Sequence, residues 1–80
     1  MAPSVVVILN IFVQSKELDK VTRKLLALPE VKDLYEVTGE YDIVAVIGGM
    51  NVVEVNECIE KIRRVEGIMK TNTMIVLRSW

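Results

Sequence analysis

The sequence predicts an α+β fold with the element order βαββαβ, in which four antiparallel strands form one sheet and two helices cover one of its faces. Two observations support this fold class. Apolar, mostly β-branched runs alternate with segments of helical apolar spacing. The expected strands are residues 5–13, 31–38, 43–47 and 68–77, and the expected helices are residues 15–28 and 52–65. A glycine-containing polar turn joins the two middle strands, as a hairpin requires.

The first strand and first helix are read from a nearly continuous apolar run and the polar residues after it. Residues 5–13 are apolar at every position except Asn10, so both faces of this strand should be covered. Ser15 is expected to cap the helix, because a serine side chain there can accept a hydrogen bond from a free backbone N–H. Pro29 should end the helix, since proline has no N–H to donate.

The second and third strands differ in their patterns. Residues 31–38 mix charged and apolar side chains, which is typical of an edge strand. Strict alternation would place Val31 and Leu34 on opposite faces. Gly39 should then reverse the chain, because glycine takes positive φ without a steric penalty. Residues 43–47 are short and wholly apolar, which favours a strand buried on both faces.

The second helix, residues 52–65, begins with a capping-box pattern. Asn51 occupies the cap position and Glu54 follows three residues later. Cys58, the only cysteine, lies on the apolar stripe and is expected to be a small core residue. Gly67 is placed to end the helix in the left-handed conformation.

The charged face of the second helix has its acidic residues first and its basic residues later. This order predicts two ion pairs across four residues, Glu57 with Lys61 and Glu60 with Arg64. Each such pair contributes about 0.2–0.5 kcal/mol on an exposed helix. We interpret this face as solvated.

The predicted topology leaves one face of the sheet without a helix. Right-handed crossovers place both helices on the same side. The first, third and fourth strands are nevertheless apolar on both faces. The uncovered face would expose an apolar patch near or beyond the ~300–600 Å² that soluble monomers usually tolerate. We therefore expect a second copy to cover it, sheet against sheet, as in a dimeric α/β barrel.

Composition excludes several classes of function. The formal net charge is −1 and the charges are interspersed, which argues against nucleic acid as a direct partner. The absence of histidine excludes a histidine-assisted nucleophile, and with one cysteine it excludes a structural zinc site. The apolar segment 5–13 is far short of the ~20 residues that span a bilayer. We expect a cytoplasmic protein with no membrane partner, catalytic residue, metal or cofactor.

The candidate binding site is the polar turn at residues 39–42, Gly-Glu-Tyr-Asp. Its backbone N–H groups lie at the mouth of a buried strand, a suitable place for a small polar ligand. The alternative is a plain hairpin turn in which the Asp42 side chain bonds nearby backbone. Glu40 and Asp42 also form a carboxylate pair, but such pairs on turns are usually solvated, so acid–base catalysis is the weaker interpretation.

Residues 5–77 resemble the effector-binding domain of the leucine-responsive regulatory protein family (Lrp/AsnC), also called the regulation of amino acid metabolism (RAM) domain. The resemblance rests on the Gly-x-Tyr-Asp turn, with Gly39, Tyr41 and Asp42, and on a Thr-x-Thr pattern in the last strand, Thr71 and Thr73. It implies a ferredoxin-like fold and dimers formed by facing sheets. It also implies that dimers assemble into rings, commonly of four dimers and thus octamers, with a free amino acid bound in the clefts between them.

The resemblance also implies a ligand set. It comprises Gly39, Glu40, Tyr41, Asp42, Thr71 and Thr73. Backbone N–H groups of residues 39–41 would hold the α-carboxylate, Asp42 would accept from the α-ammonium, and the two threonine hydroxyls would do either. Each residue also has a structural interpretation, because threonine favours strands, Tyr41 can pack at an interface and Asp42 can fix the turn.

Full members of this family carry an N-terminal helix-turn-helix, whereas residues 1–4 alone precede the first strand here. We therefore expect residues 1–80 to be a single stand-alone effector-binding domain without a DNA-binding domain. The expected function is amino-acid sensing through assembly, with DNA-binding Lrp-like relatives as partners. Two alternatives stay open, a dimeric α/β-barrel enzyme and a structural oligomer that binds no ligand.

Overall fold

A computed structural model describes residues 3–80, and its element order is the predicted one. Within this range the strands are β1 (Val5–Val13), β2 (Val31–Glu36), β3 (Ile43–Gly49) and β4 (Ile68–Ile75), and the helices are α1 (Leu18–Leu26) and α2 (Val52–Arg63). All neighbouring strands pair antiparallel, in the spatial order β2-β3-β1-β4. The predicted ferredoxin-like fold class is confirmed.

The core lies between the helices and one face of the sheet. Alternate residues of β1 and β3 point into it, and Leu9, Ile11 and Ile43 are fully buried. The helices contribute Val21, Leu25, Val55, Cys58, Ile59 and Ile62. Each buried leucine or isoleucine stabilises the fold by about 1.5–3 kcal/mol relative to an exposed one. The helices therefore cover this face over β1 and β3, whereas Ile75 at the end of β4 is 64% exposed on the same side.

The start of the first helix differs from the prediction. Ser15 begins a 3-10 turn, Ser15–Glu17, before α1. The N-cap residues are Gln14 for this turn and Glu17 for α1, and neither side chain makes a capping hydrogen bond. Instead the Glu17 N–H donates to the Gln14 carbonyl oxygen at 2.8 Å. The prediction that Ser15 caps the helix was wrong, because the tighter turn satisfies this N–H from the backbone.

The edge position predicted for β2 is confirmed, but its side chains do not alternate strictly. The register against β3 shifts between Val31 and Asp33. A bulge of this kind adds a residue and re-aims the side chains after it. Val31 and Leu34 consequently both pack against the core. The prediction that they lie on opposite faces was wrong.

The predicted start of α2 is confirmed, but its predicted end at Gly67 is wrong. Asn51 Oδ1 accepts from the Glu54 N–H at 2.9 Å, which caps the first turn. Gly67 is left-handed as predicted, with a φ of 102°, but α2 already ends at Arg63 with Arg64 as its C-cap, so Gly67 lies in the turn before β4. A Cβ at Gly67 would lie 2.6 Å from the Glu17 Cβ, so the close approach of the 3-10 turn also requires glycine there.

The ion pairs predicted on α2 do not form. In the described part of the chain, the ion pair on this helix joins Glu60 Oε1 and Arg63 Nη1 at 3.3 Å. The basic partner is three residues away rather than four. Glu57, Lys61 and Arg64 lie on the outer face of the helix with no ion pair within residues 3–80.

The second face of the sheet carries no helix and is called the open face. Its apolar side chains are Val6, Ile8, Phe12, Val44, Val46 and Met74. Phe12 is 39% exposed and Met74 46% exposed. One polar pair interrupts this surface, since Asn10 Nδ2 donates to Asn72 Oδ1 at 3.4 Å. The sheet therefore presents one apolar face that the helices cover over β1 and β3, and one apolar face that carries no helix.

The helices are too short and too polar to cross a lipid bilayer. This finding applies to residues 3–80.

Candidate ligand-binding site

The turn at residues 39–42 is fixed to the sheet through Asp42. The Asp42 N–H donates to the Ile11 carbonyl oxygen at 2.9 Å, and the Val37 N–H donates to the Asp42 carbonyl oxygen at 2.9 Å. The Asp42 carboxylate reaches further, because Oδ2 accepts from the Val13 N–H at 2.8 Å. Asp42 thus joins the start of β3 to the end of β1 and holds the turn in place.

The rest of the turn offers unused backbone donors. Gly39 has a φ of 112°, and a Cβ built there would meet no atom within 4 Å, so conformation alone explains the glycine. Gly39 and Glu40 are exposed. The N–H groups of Gly39, Glu40 and Tyr41 make no hydrogen bond within residues 3–80. Successive free N–H groups at a turn are a suitable site for an anion.

Tyr41 lies beside a lysine that the sequence pattern did not identify. Lys70 Nζ is 5.8 Å from the centre of the Tyr41 ring, a cation–π distance. Lys70 pairs with Phe12 across β1 and β4, so both point to the open face. The half-buried Tyr41 ring therefore lies across the end of β1 toward β4. This contact could be predicted only from the register of β4 against β1, which the sequence pattern does not give.

Thr71 and Thr73 lie on the other side of β4. Thr71 pairs with Ile11 and Thr73 pairs with Leu9, and both of these β1 residues point into the core. The threonines therefore share the helix side of the sheet. Thr71 Oγ1 accepts from Arg63 Nε of α2 at 3.4 Å, whereas Thr73 is exposed.

A single chain does not bring the turn and the two threonines together. β1 lies between β3 and β4, so two strand spacings, about 10 Å, separate them. Tyr41 also points toward the open face, while Thr71 and Thr73 lie on the helix side. A small ligand that touches both groups needs surfaces from more than one chain.

A groove lies elsewhere, along the outer face of α2. Its volume is about 450 Å³. The lining residues are Val53, Asn56, Glu57, Glu60, Lys61 and Arg64. None of them belongs to the predicted ligand set. The sequence analysis interpreted this face as solvated and did not identify the groove.

Cys58 is a core residue, as predicted. Its side chain is buried. Burial raises the pKa of the Cys58 thiol to about 11, the Glu30 carboxylate adds to the rise, and the Lys61 ammonium opposes it. The thiol therefore stays protonated at neutral pH. Within residues 3–80, no three His, Cys, Asp or Glu side chains are close enough to hold a metal ion.

Element order and sheet topology place this chain in the ferredoxin-like class of α+β domains. The sequence model described as the Lrp/AsnC ligand binding domain matches residues 6–80. The chain therefore belongs to the Lrp/AsnC ligand-binding domain family.

Two curated relatives and one solved structure illustrate the range of proteins that carry a similar domain. The HTH-type transcriptional regulator LysM of Saccharolobus solfataricus is 38% identical over 61 residues, which are 76% of this chain and 43% of LysM. Homocitrate synthase of Sulfurisphaera tokodaii is 41% identical over 58 residues, which are 72% of this chain and 13% of that enzyme. Hypothetical protein PHS023 from Pyrococcus horikoshii has a TM-score of 0.85 and 34% identity, and the match covers 94% of this chain and 92% of PHS023. The chain thus spans less than half of each curated relative.

Proposed function

We propose that this domain senses a free amino acid and acts through its own assembly. The observation that carries the proposal is the pairing, within one short turn, of free backbone donors with a fixed carboxylate. The N–H groups of Gly39, Glu40 and Tyr41 have no internal acceptor in the described chain, and Asp42 is held beside them. A free amino acid presents one carboxylate and one ammonium group, which need such donors and such an acceptor.

The proposed contacts follow from the atoms that remain available. The amides of residues 39–41 bind the α-carboxylate. Asp42 Oδ2 is used by the Val13 N–H, so Asp42 Oδ1 accepts from the α-ammonium. The hydroxyls of Thr71 and Thr73 complete the site from another copy of the chain, because within one chain they lie across β1 from the turn.

Assembly is the second part of the proposal. The open face is apolar and uncovered in one chain, and a second copy pairs with it to form a dimer. Dimers then associate into a ring, with four dimers in an octamer, and the ligand binds where copies meet. A ligand that contacts two copies binds the assembly more tightly than the separated chains, so it shifts the equilibrium toward assembly.

The relatives support a regulatory role rather than a catalytic one. A similar domain forms 43% of a transcriptional regulator and 13% of an enzyme with a different activity. A domain found beside such different activities is better suited to control than to chemistry. We propose that it acts on DNA indirectly, by joining DNA-binding relatives of the same family in mixed assemblies.

A thermal-shift panel of the twenty amino acids tests the sensing function. Ligand at a hundredfold excess over Kd should stabilise the domain by about 2.7 kcal/mol. We expect a few amino acids to raise the Tm of the wild-type chain. Asp42→Asn should lose that shift, because the amide can still accept from the Val13 N–H but carries no charge for the ammonium. Glu36→Gln, an exposed carboxylate on β2, is the matched control and should keep the shift.

Two outcomes would contradict the proposal. In the first, none of the twenty amino acids changes the Tm of the wild-type chain. In the second, Asp42→Asn responds as fully as Glu36→Gln, which would place any site away from the turn.

A further inference from the structure

The outer face of α2 carries four charged residues whose order has a special symmetry. Glu57, Glu60, Lys61 and Arg64 are three, one and three residues apart, so they form one stripe along the helix. They line the 450 Å³ groove together with Val53 and Asn56. We call these four residues the charge stripe. We infer that the charge stripe binds the charge stripe of a second copy of the chain, with the two α2 helices antiparallel.

The order of the charges selects this arrangement. When a two-fold axis passes between Glu60 and Lys61, Glu57 faces Arg64 of the second copy and Glu60 faces Lys61 of the second copy. The two-fold axis repeats both contacts, so every charge in the stripe meets an opposite charge. A parallel pair in the same register would place like charges together. Of the two arrangements with two-fold symmetry, only the antiparallel one therefore makes the stripe complementary to itself.

Most charged side chains of the stripe are available to a partner, since they make no ion pair within the described chain. In the described range, Glu57, Lys61 and Arg64 make no ion pair within the chain. Glu60 does pair with Arg63, but both side chains are more than half exposed, at 57% and 52%. Exposed pairs of this kind contribute little to stability and exchange readily. Val53, at the edge of the groove, is 66% exposed and offers apolar contact.

The length of the stripe determines which copies it joins. Residues 57–64, the end of α2 with its C-cap Arg64, extend about 11 Å along the helix axis. A contact of this length buries much less surface than the about 1,200–2,000 Å² that stable interfaces bury. The stripe therefore joins one dimer to another, after each dimer has formed through the open face. Several such weak contacts act together in the larger assembly. This inference goes beyond the proposed sensing function, since it concerns a helix face that excludes the turn.

Charge-reversal variants test the inference directly. Glu57→Lys with Glu60→Lys makes the stripe wholly basic, and Lys61→Glu with Arg64→Glu makes it wholly acidic. All four substitutions together invert the stripe, restore its complementarity and keep the formal net charge at −1. Sedimentation velocity would follow each chain at about 0.01 M and about 1 M salt, where the Debye length is about 30 Å and 3 Å.

We expect wild type to form assemblies larger than dimers at low salt and dimers at high salt. Each double variant alone should stop at dimers, an equimolar mixture of the two should regain the larger assemblies, and the fourfold variant should behave as wild type. A double variant that assembles like wild type, a mixture that stays dimeric, or wild type that never exceeds a dimer at low salt would overturn the inference. Asp42→Asn should keep the salt-dependent assembly in the absence of amino acids, so failure here is distinct from failure of the sensing function.

Discussion

The two faces of the sheet are similar in sequence and opposite in environment. In β1, Leu9 and Ile11 are fully buried under the helices, whereas Phe12 on the open face is 39% exposed. β3 repeats this, with Ile43 and Ala45 buried and Val44 between them only partly covered. A sheet with one solvated face would alternate apolar and polar residues. The apolar character of the open face therefore supports the proposed interface between copies of the chain.

The largest expected effect comes from truncating neighbouring residues on opposite faces. Leu9→Ala should cost about 2–5 kcal/mol of unfolding free energy at every protein concentration, because it opens a cavity in the core. Ile8→Ala should cost less in dilute protein, and the difference should narrow as concentration rises and the open face becomes covered. Urea unfolding at low and high protein concentration measures both. If both variants lose the same unfolding free energy at every protein concentration, the two faces do not differ in the way described.

A charge on the open face should change assembly more than folding. Val46→Asp places a carboxylate in the centre of the proposed interface, and burying it there without a partner is strongly unfavourable. We expect monomers by light scattering, with the far-UV circular dichroism of a folded α+β chain. Val52→Asp is the matched control, since Val52 is 59% exposed on α2, outside the open face. If Val46→Asp and Val52→Asp have the same molar mass as wild type, the open face is not the interface.

The face that the helices cover should show its own dependence on pH. The pKa of Cys58 is about 11 in the folded chain against an ordinary value of 9.0, because burial disfavours the thiolate. The unfolded chain therefore loses this proton first as pH rises. The Cys58 contribution is complete below pH 9 and is lost between pH 9 and about 11. Below pH 9 the Tm of wild type and the Tm of Cys58→Ala should depend on pH in the same way, whereas between pH 9 and about 11 the Tm of wild type should fall more steeply. The same dependence of both Tm values throughout this range would show that Cys58 is not buried as described.

The smallest expected effect provides a baseline outside both faces. Asn51→Ala removes the side chain that accepts from the Glu54 N–H and should cost about 1 kcal/mol. Asn51→Asp should retain the cap. Because Asn51 is exposed at the start of α2 and does not belong to the open face, the loss should be independent of protein concentration. A cost that grows with dilution would connect the helix start to assembly.

Local patterns predicted most of the fold because the features concerned depend on near neighbours. The Asn51 cap, the left-handed Gly67 and the buried stripe with Cys58 follow from residues a few positions apart. Two errors arose where tertiary contacts decide, whereas the ion pairs predicted on α2 failed within the helix itself, because Glu60 pairs with Arg63 three residues away. The bulge after Val31 depends on how β2 meets β3, and the 3-10 turn at Ser15 depends on how the chain leaves β1.

The site was less predictable than the fold for the same physical reason. The turn could be located from Gly39 and Asp42, but the bond from the Val13 N–H to Asp42 spans 29 positions and requires the register of β1 against β3. The contact between Tyr41 and Lys70 likewise depends on β4. The six predicted ligand residues lie on both sides of β1, so they could contact one small ligand only if different chains supplied them.

The most direct test of the central claim is the molar mass of the wild-type chain, measured by light scattering over a wide range of concentration together with the Tm. If the open face is an interface, the mass will be a multiple of 9.0 kDa and the Tm will rise with concentration. A single 9.0 kDa species with a constant Tm would show that the open face stays uncovered, and would contradict sensing through assembly.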